Sequence, residues 1–359
     1  MNKEQRNKSA KDFITKKLDL VSPLSESYFE DIKEYIKLKE ILGRLIEVNT
    51  KGFRGIVATA ITGRFLNPKY DPLNNFYSCN PRSIFEQGIF YAFENRIPCG
   101  KSDPLNVAKN INVLDYEWAK GKRPQTAANA VIEYLKYIEN EVGVEYEKAI
   151  NYFFYRLLKY SNNLASIKIE MPLQGTISNQ NLSHKLLRFS LEYPESGTVP
   201  QFVISKLIYS LYDKSSIKVI GGDESVFGTN TTSKKPSDIW LECSNKVYNL
   251  FEITVKKIDF KRLDDCIQSL HSVGELGTQI TFICRIPDDI LSLDNVKNNS
   301  FSYKGKIFDF VDIKSFIPSI TALLSKEESE NLLRQLKLFI VDINRPKKTK
   351  DGWNNIFGS

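Results

Sequence analysis

Lys234-Lys235-Pro236-Ser237-Asp238 and Phe251-Glu252-Ile253-Thr254-Val255-Lys256-Lys257 are the two segments that decide the fold of the second half of this chain. Ile239 to Cys243 and Tyr248 to Lys256 are rich in β-forming residues and flank a tight polar turn at Ser244-Asn245-Lys246, so they predict an antiparallel hairpin. Side chains alternate between the two faces of a strand, which puts Tyr248, Leu250, Glu252, Thr254 and Lys256 on one face. Asn249, Phe251, Ile253 and Val255 take the other, mostly apolar face, which suits a core. A carboxylate and an ammonium on the first face cost stability unless they are paired or solvated. Asp238 opens the first strand and Glu252 follows fourteen residues later, so the hairpin brings two carboxylates together.

Two carboxylates sharing a small space repel each other unless a cation bridges them. Mg²⁺ takes hard oxygen ligands, one or two of them carboxylates, and keeps waters and phosphate for the rest. A nearby lysine can orient the attacking water and stabilise charge developing on a phosphate. Asp238, Glu252 and Lys256 are therefore the candidate catalytic residues, with Asp238 and Glu252 as metal ligands.

Pro236-Ser237-Asp238, followed by Glu252 on the next strand, resembles the PD-(D/E)XK nuclease superfamily. The expected order of strand, hairpin, helix and strand is similar to the core of that superfamily. The resemblance implies a catalytic domain with a central mixed β-sheet flanked by helices, an acidic pair binding Mg²⁺, and a lysine assisting the water. One departure stands out. The superfamily places its lysine two residues after the second acid, where this chain has Thr254. Lys256 lies on the same expected face and takes that role ahead of Lys257.

The fourteen-residue gap, the Glu-x-x-x-Lys ending and the loop Gly228 to Pro236 are similar to those of type II restriction endonucleases. That implies hydrolysis of double-stranded DNA at a short specific sequence by a homodimer, each active site cutting one strand. A DNA methyltransferase is then the expected genetic partner, though not a binding one. A repair or recombination nuclease with the same core, or a DNA-binding protein that kept the fold and lost catalysis, stays open. Glu224 is an additional candidate metal ligand, and His271 reads as a packing residue of the following helix.

Composition supports this chemistry by exclusion. With 359 residues, 42% hydrophobic and 26% charged, the chain can bury a substantial core. The net charge of +7 permits a polyanionic partner without demanding one. Only two histidines, His184 and His271, are present, which argues against His-rich zinc hydrolases and His-Asn-His nucleases. Five scattered cysteines with no CxxC pair fit a reducing cytoplasm. The N-terminus lacks the apolar core of a signal peptide, and Gly55 to Gly63 is too short to span a bilayer.

The first half reads as helical, an expected domain over residues 1–165 for DNA recognition and dimerisation, with the catalytic domain over 166–359. Helices are predicted over Ser25 to Glu47, from Asn80-Pro81 to Asn95, after Arg123-Pro124, and over Tyr146 to Tyr160. The texture changes near Ser161-Asn162-Asn163. Beyond it come a helix over Val199 to Tyr212, a short strand from Ser216 to Ile220, a helix over Phe260 to Val273 and a strand from Gln279 to Ile286 closed by Pro287. Lys326 to Arg334 reads as a solvated helix face and Arg345 to Lys350 as a basic tail.

Cys99-Gly100-Lys101-Ser102 lacks the first glycine of a phosphate loop, where Asn95 stands, so ATP binding is rejected. The loop segment Gly100 to Asn110 is better suited to DNA contact through Lys101, Ser102, Asn106 and Lys109. Arg64, Asn67, Lys69 and Arg82 are similar candidates, since Arg and Asn read guanine and adenine edges. Lys234 and Lys235, beside the acidic pair, complete the set.

Overall fold

The computed structural model describes residues 1–172, 177–213, 215–222, 235–244, 246–273 and 279–358. It separates into two compact units, Met1–Ile167 and Lys168–Ser359.

The first unit is helical throughout its described secondary structure. Its helices are α1 (Lys3–Val21), α2 (Tyr35–Ile46), α3 (Gly52–Leu66), α4 (Pro81–Ile84), α5 (Phe90–Phe93), α6 (Asp103–Ala108), α7 (Tyr116–Lys120), α8 (Gln125–Glu139) and α9 (Gly143–Ala165). Helix α1 starts on a reciprocal cap, with the Asn2 side chain on the Gln5 N–H and the Gln5 side chain on the Asn2 N–H. Its stripe of Ala10, Ile14, Leu18 and Val21 is buried. Helix α3 is apolar on all sides because it is the centre of the unit, and Phe53 to Gly63 are all buried. The helix predicted over Ser25 to Glu47 is two elements: a 3₁₀ turn at Glu26–Phe29, then α2. Asn80 caps α4 by accepting from the Ser83 N–H, and a π turn at Phe85–Ile89 links α4 to α5.

Among the described residues of the second unit, six strands form one mixed sheet: β1 (Lys218–Gly221), β2 (Ile239–Cys243), β3 (Lys246–Ile253), β4 (Ile280–Cys284), β5 (Ser300–Tyr303) and β6 (Lys306–Asp312). Their spatial order is β1-β2-β3-β4-β6-β5. Strands β3, β4 and β6 run parallel, whereas β1-β2, β2-β3 and β5-β6 are antiparallel. The class is mixed α+β. One face of the sheet, with Ile239, Leu241, Ile253 and Ile283, packs with α10 (Asn179–Glu192) and α11 (Thr198–Tyr212). Three later helices join that layer: α13 (Ile313–Leu323), α14 (Lys326–Val341) and α15 (Lys347–Phe357). The other face, with Leu250, Ile280, Phe282, Phe308 and Phe310, is covered by Leu263, Cys266 and Leu270 of α12 (Phe260–Val273). Parallel strands buried on both faces are the ordinary consequence of such layering.

Several expectations need correction. Strand β3 ends at Ile253 rather than Lys256, because the chain bends at Val255 and Lys256. The Arg345–Lys350 segment is no solvated tail. Arg345 pairs with Glu195 at 2.9 Å, and Lys350 is buried, its ammonium donating to the Val341 carbonyl at 3.0 Å. Lys326 to Arg334 is the start of the longer α14, whose Leu332, Leu336 and Ile340 are in the core. Gly100 to Asn110 is partly helical, through α6, rather than an open loop.

Glu26 joins distant parts of the first unit. Its carboxylate accepts from the Tyr35 hydroxyl at 2.8 Å, the Tyr152 hydroxyl at 2.7 Å and the Lys159 ammonium at 2.6 Å. Burial pushes its pKa up, but the Lys159, Tyr152 and Tyr35 hydrogen bonds outweigh it and hold the carboxyl down, from the ordinary 4.5 to about 2. A depressed carboxyl pKa stabilises the fold above the unfolded value, and that contribution fades as pH falls through the folded one. After allowance for solvent screening the contribution is about 1–2 kcal/mol. Glu26→Gln is expected to lose that much stability at pH 7. The difference from wild type should shrink between pH 4.5 and 2, as followed by urea unfolding.

Candidate functional site

The hairpin of β2 and β3 sets the site. Ile239 pairs with Phe251 in antiparallel register, so Asp238, immediately before β2, lies across from Glu252. The Ile253 N–H donates to Asp238 Oδ2 at 3.0 Å, and the Ser237 hydroxyl donates to the Phe251 carbonyl at 2.5 Å. Both bonds reach from the segment before β2 to the end of β3, so they fix Asp238 against the strand that carries Glu252. Gly221 and Gly222, at φ +90° and +82°, end β1 beside it. The Gly222 N–H donates to the Asp238 carbonyl at 3.0 Å. A Cβ on Gly221 would sit 2.2 Å from that oxygen, so glycine is required for this approach.

Glu252 is only 4% exposed. It shares its face of β3 with Leu250, under α12. That helix begins where Asp259 accepts from the Arg262 N–H at 2.9 Å, an N-terminal cap that puts Arg262 in the first turn. The Arg262 guanidinium then reaches Glu252, with Nη2 at 3.4 Å from Oε2. Burial lowers the Arg262 pKa, but Glu252 and then Asp238 more than compensate, and the net shift is upward. The same guanidinium therefore senses both carboxylates. Its buried Nε has no hydrogen-bond partner among the described residues. One turn on, the Cys266 thiol is held well above its usual pKa by burial and then by Glu252, so it stays protonated.

Lys256 is placed differently from the strand-face expectation. It lies past the end of β3, in an exposed bend, so face alternation does not bring it to Glu252. Thr254 makes the bend: it is buried, its N–H donates to the Ile283 carbonyl, and its Oγ1 accepts from the Lys256 N–H at 3.1 Å. Arg285, just beyond β4, ties the bend down by donating to the Val255 carbonyl at 2.6 Å while pairing with the fully buried Asp289. His271 is exposed in the last turn of α12 rather than packed, because Leu263, Cys266 and Leu270 occupy the buried stripe of that helix. Lys234 and Glu224 lie outside the described residues, as does most of the Gly228 to Pro236 loop. Lys235 is half-buried, three residues before Asp238.

Among the described residues no group of three or more His, Cys, Asp or Glu is close enough to hold a metal. The donor set offered is the Asp238–Glu252 pair. That fits Mg²⁺, which binds through one or two carboxylates and fills its remaining positions with water and phosphate.

The candidate DNA-contact residues of the first unit fall into groups with defined neighbours. Arg82 and Ser102 converge on Glu86, with the Arg82 Nε at 3.8 Å and the Ser102 hydroxyl donating at 3.0 Å. Lys101 lies over the Tyr91 ring, 5.8 Å from its centroid. Asn106 and Lys109 are exposed on and just after α6. Arg64 is half-buried and 4.0 Å from Glu139. Asn67 accepts from the Lys69 N–H within its own turn, and Lys69 is exposed.

Arg262 is the member of the site that sequence reasoning missed. Its signal was present: Asp259 and Arg262 stand at cap and third helical position, and Arg262 shares a helical stripe with Cys266. No known family model matches the sequence, and no curated protein matches it. Among the described residues no helix is long and apolar enough to cross a membrane.

Gly221→Ala combines a disfavoured φ with a backbone clash at Asp238. It is expected to destabilise the fold by about 2–4 kcal/mol, read from the shift in the denaturant midpoint.

Proposed function

We propose that the second unit is a Mg²⁺-dependent nuclease of the PD-(D/E)XK type, and that the whole chain is a type II restriction endonuclease acting on double-stranded DNA. The observation that carries this reading is the side-by-side placement of Asp238 and Glu252 at the end of a hairpin, in a mixed sheet covered by helices on both faces. Bound Mg²⁺ would polarise the scissile phosphate and lower the pKa of a water. The chain's own contribution is orientation. The Ile253 N–H holds Asp238 through Oδ2, and Arg262 holds Glu252 from the α12 side. Lys256, on an exposed bend tethered by Thr254 and Arg285, is the residue that would meet phosphate from solvent.

Sequence reading is assigned to the first unit, through the exposed Asn67, Lys69, Arg82, Lys101, Asn106 and Lys109. A cytoplasmic homodimer follows from this reading, with a genetically linked methyltransferase shielding the host's own DNA. One observation favours a second reading, a DNA-binding protein without cleavage: Lys256 and Lys257 both lie past the exposed end of β3 and not on the strand.

A mixed-sequence plasmid incubated with Mg²⁺ separates the two. Discrete fragments are expected from the wild type. Asp238→Asn and Glu252→Gln should each reduce cutting about a thousandfold or more while the melting temperature stays near wild type. Lys256→Ala should reduce cutting about a hundredfold, with metal affinity unchanged. Retarded but intact plasmid would establish the second reading.

A further inference from the structure

The buried end of β3 carries a cation of its own. Arg262 Nη2 stands 3.4 Å from Glu252 Oε2, and Asp238 as well as Glu252 favours the charged guanidinium. Glu252 is almost wholly removed from water, so a positive charge beside it offsets a large desolvation cost. A guanidinium and Mg²⁺ cannot both sit against that oxygen, since two cations at contact distance repel strongly in a poorly hydrated site. Arg262 also has somewhere to go. Its side chain is 32% exposed, and its Nε is without a hydrogen-bond partner among the described residues, so the present pose leaves donor capacity unused. A planar guanidinium with free donors suits a phosphate oxygen.

We infer that Arg262 is a built-in counter-ion of the Asp238–Glu252 pair, which competes with the divalent metal for Glu252 and is released toward the substrate phosphate when the metal binds. Metal affinity in the absence of DNA is then held down by the protein itself. Metal and DNA bind with positive coupling, because a phosphate rewards the guanidinium for leaving Glu252. The inference rests on the metal-site reading above, but its consequence appears in binding rather than in cleavage.

The test is Mn²⁺ binding to the full chain without DNA, followed by electron paramagnetic resonance, for wild type, Arg262→Met, Arg262→Lys and Glu252→Gln. Arg262→Met is expected to bind Mn²⁺ about tenfold more tightly, and Arg262→Lys within about threefold of wild type. Glu252→Gln should abolish the site. Unchanged or weaker binding by Arg262→Met, with binding still lost in Glu252→Gln, would overturn the counter-ion and leave the metal site standing. Binding that survives in Glu252→Gln would overturn the metal-site reading. The wild type supplies a measurement that needs no variant. Phenylglyoxal labelling of Arg262, quantified by peptide mass spectrometry, should rise several-fold on adding Mg²⁺, and an unchanged rate refutes release. With a short duplex present, the wild type should gain Mn²⁺ affinity and Arg262→Met should gain far less; equal gains would also refute the coupling.

Discussion

Burial of the Glu252 carboxylate is the constraint around which the second unit is arranged. Strand β3 lies between β2 and β4, and both of its faces are covered, so a charged side chain there meets helix α12 instead of water. An isolated carboxylate in such surroundings would be neutralised or expelled. The fold supplies a cation instead, and it does so through local chemistry. Asp259 caps α12, the cap fixes the first turn, and the first turn carries Arg262 to Glu252. Replacing the Glu252–Arg262 pair together by apolar residues would remove that desolvation problem and extend the apolar layer of Leu250 and Phe282. A stability argument alone therefore gives no reason for an acid here, and a functional one does.

The acidic pair was legible because it depends only on short-range rules. Hairpin length and strand alternation determine that Asp238 faces Glu252, and both follow from residues 238 to 253. What was not legible depends on tertiary contacts. The extent of β3 is one case. Val255 and Lys256 look like continuing strand, but the parallel partner β4 stops at Cys284, and Arg285 pulls the Val255 carbonyl into a bend. Helix α1 is another, since its weak amphipathicity hides a stripe that is buried only once the rest of the unit packs against it. Lys350 shows the same limit from the opposite side. A run of Lys and Arg reads as solvated, yet α15 docks and the ammonium finds a backbone carbonyl.

In the helical unit the turn-rich polar segments serve folding, and on the proposed function they serve recognition as well. Asn67 closes its own turn, Ser102 holds Glu86, and Asp103 is buried on the Gly100 N–H. These bonds order the loops that display Lys69, Lys101, Asn106 and Lys109, and ordering before contact removes an entropic cost from binding. A residue tied into a turn is thus a poor direct reader of a base but a good support for its exposed neighbour. In this unit the lysines and Asn106 carry more of the proposed recognition than Arg64 or Asn67.

On the proposed nuclease reading, the absence of lysine at position 254 and the presence of Arg262 are connected. Thr254 is buried, and its Oγ1 closes the bend by accepting from the Lys256 N–H. A lysine there would lose that bond and bring a second ammonium-sized charge toward carboxylates that already face a guanidinium. With metal added, three positive centres would crowd two carboxylates. Moving the lysine two residues on, to a solvent-facing bend, relieves the crowding and keeps it on the same short connection. The cation next to Glu252 and the cation offered to phosphate then become different residues on different elements. That division is what the proposed metal-exchangeable counter-ion requires, since the backbone that positions Lys256 is held by Arg285 and Thr254 and not by Arg262.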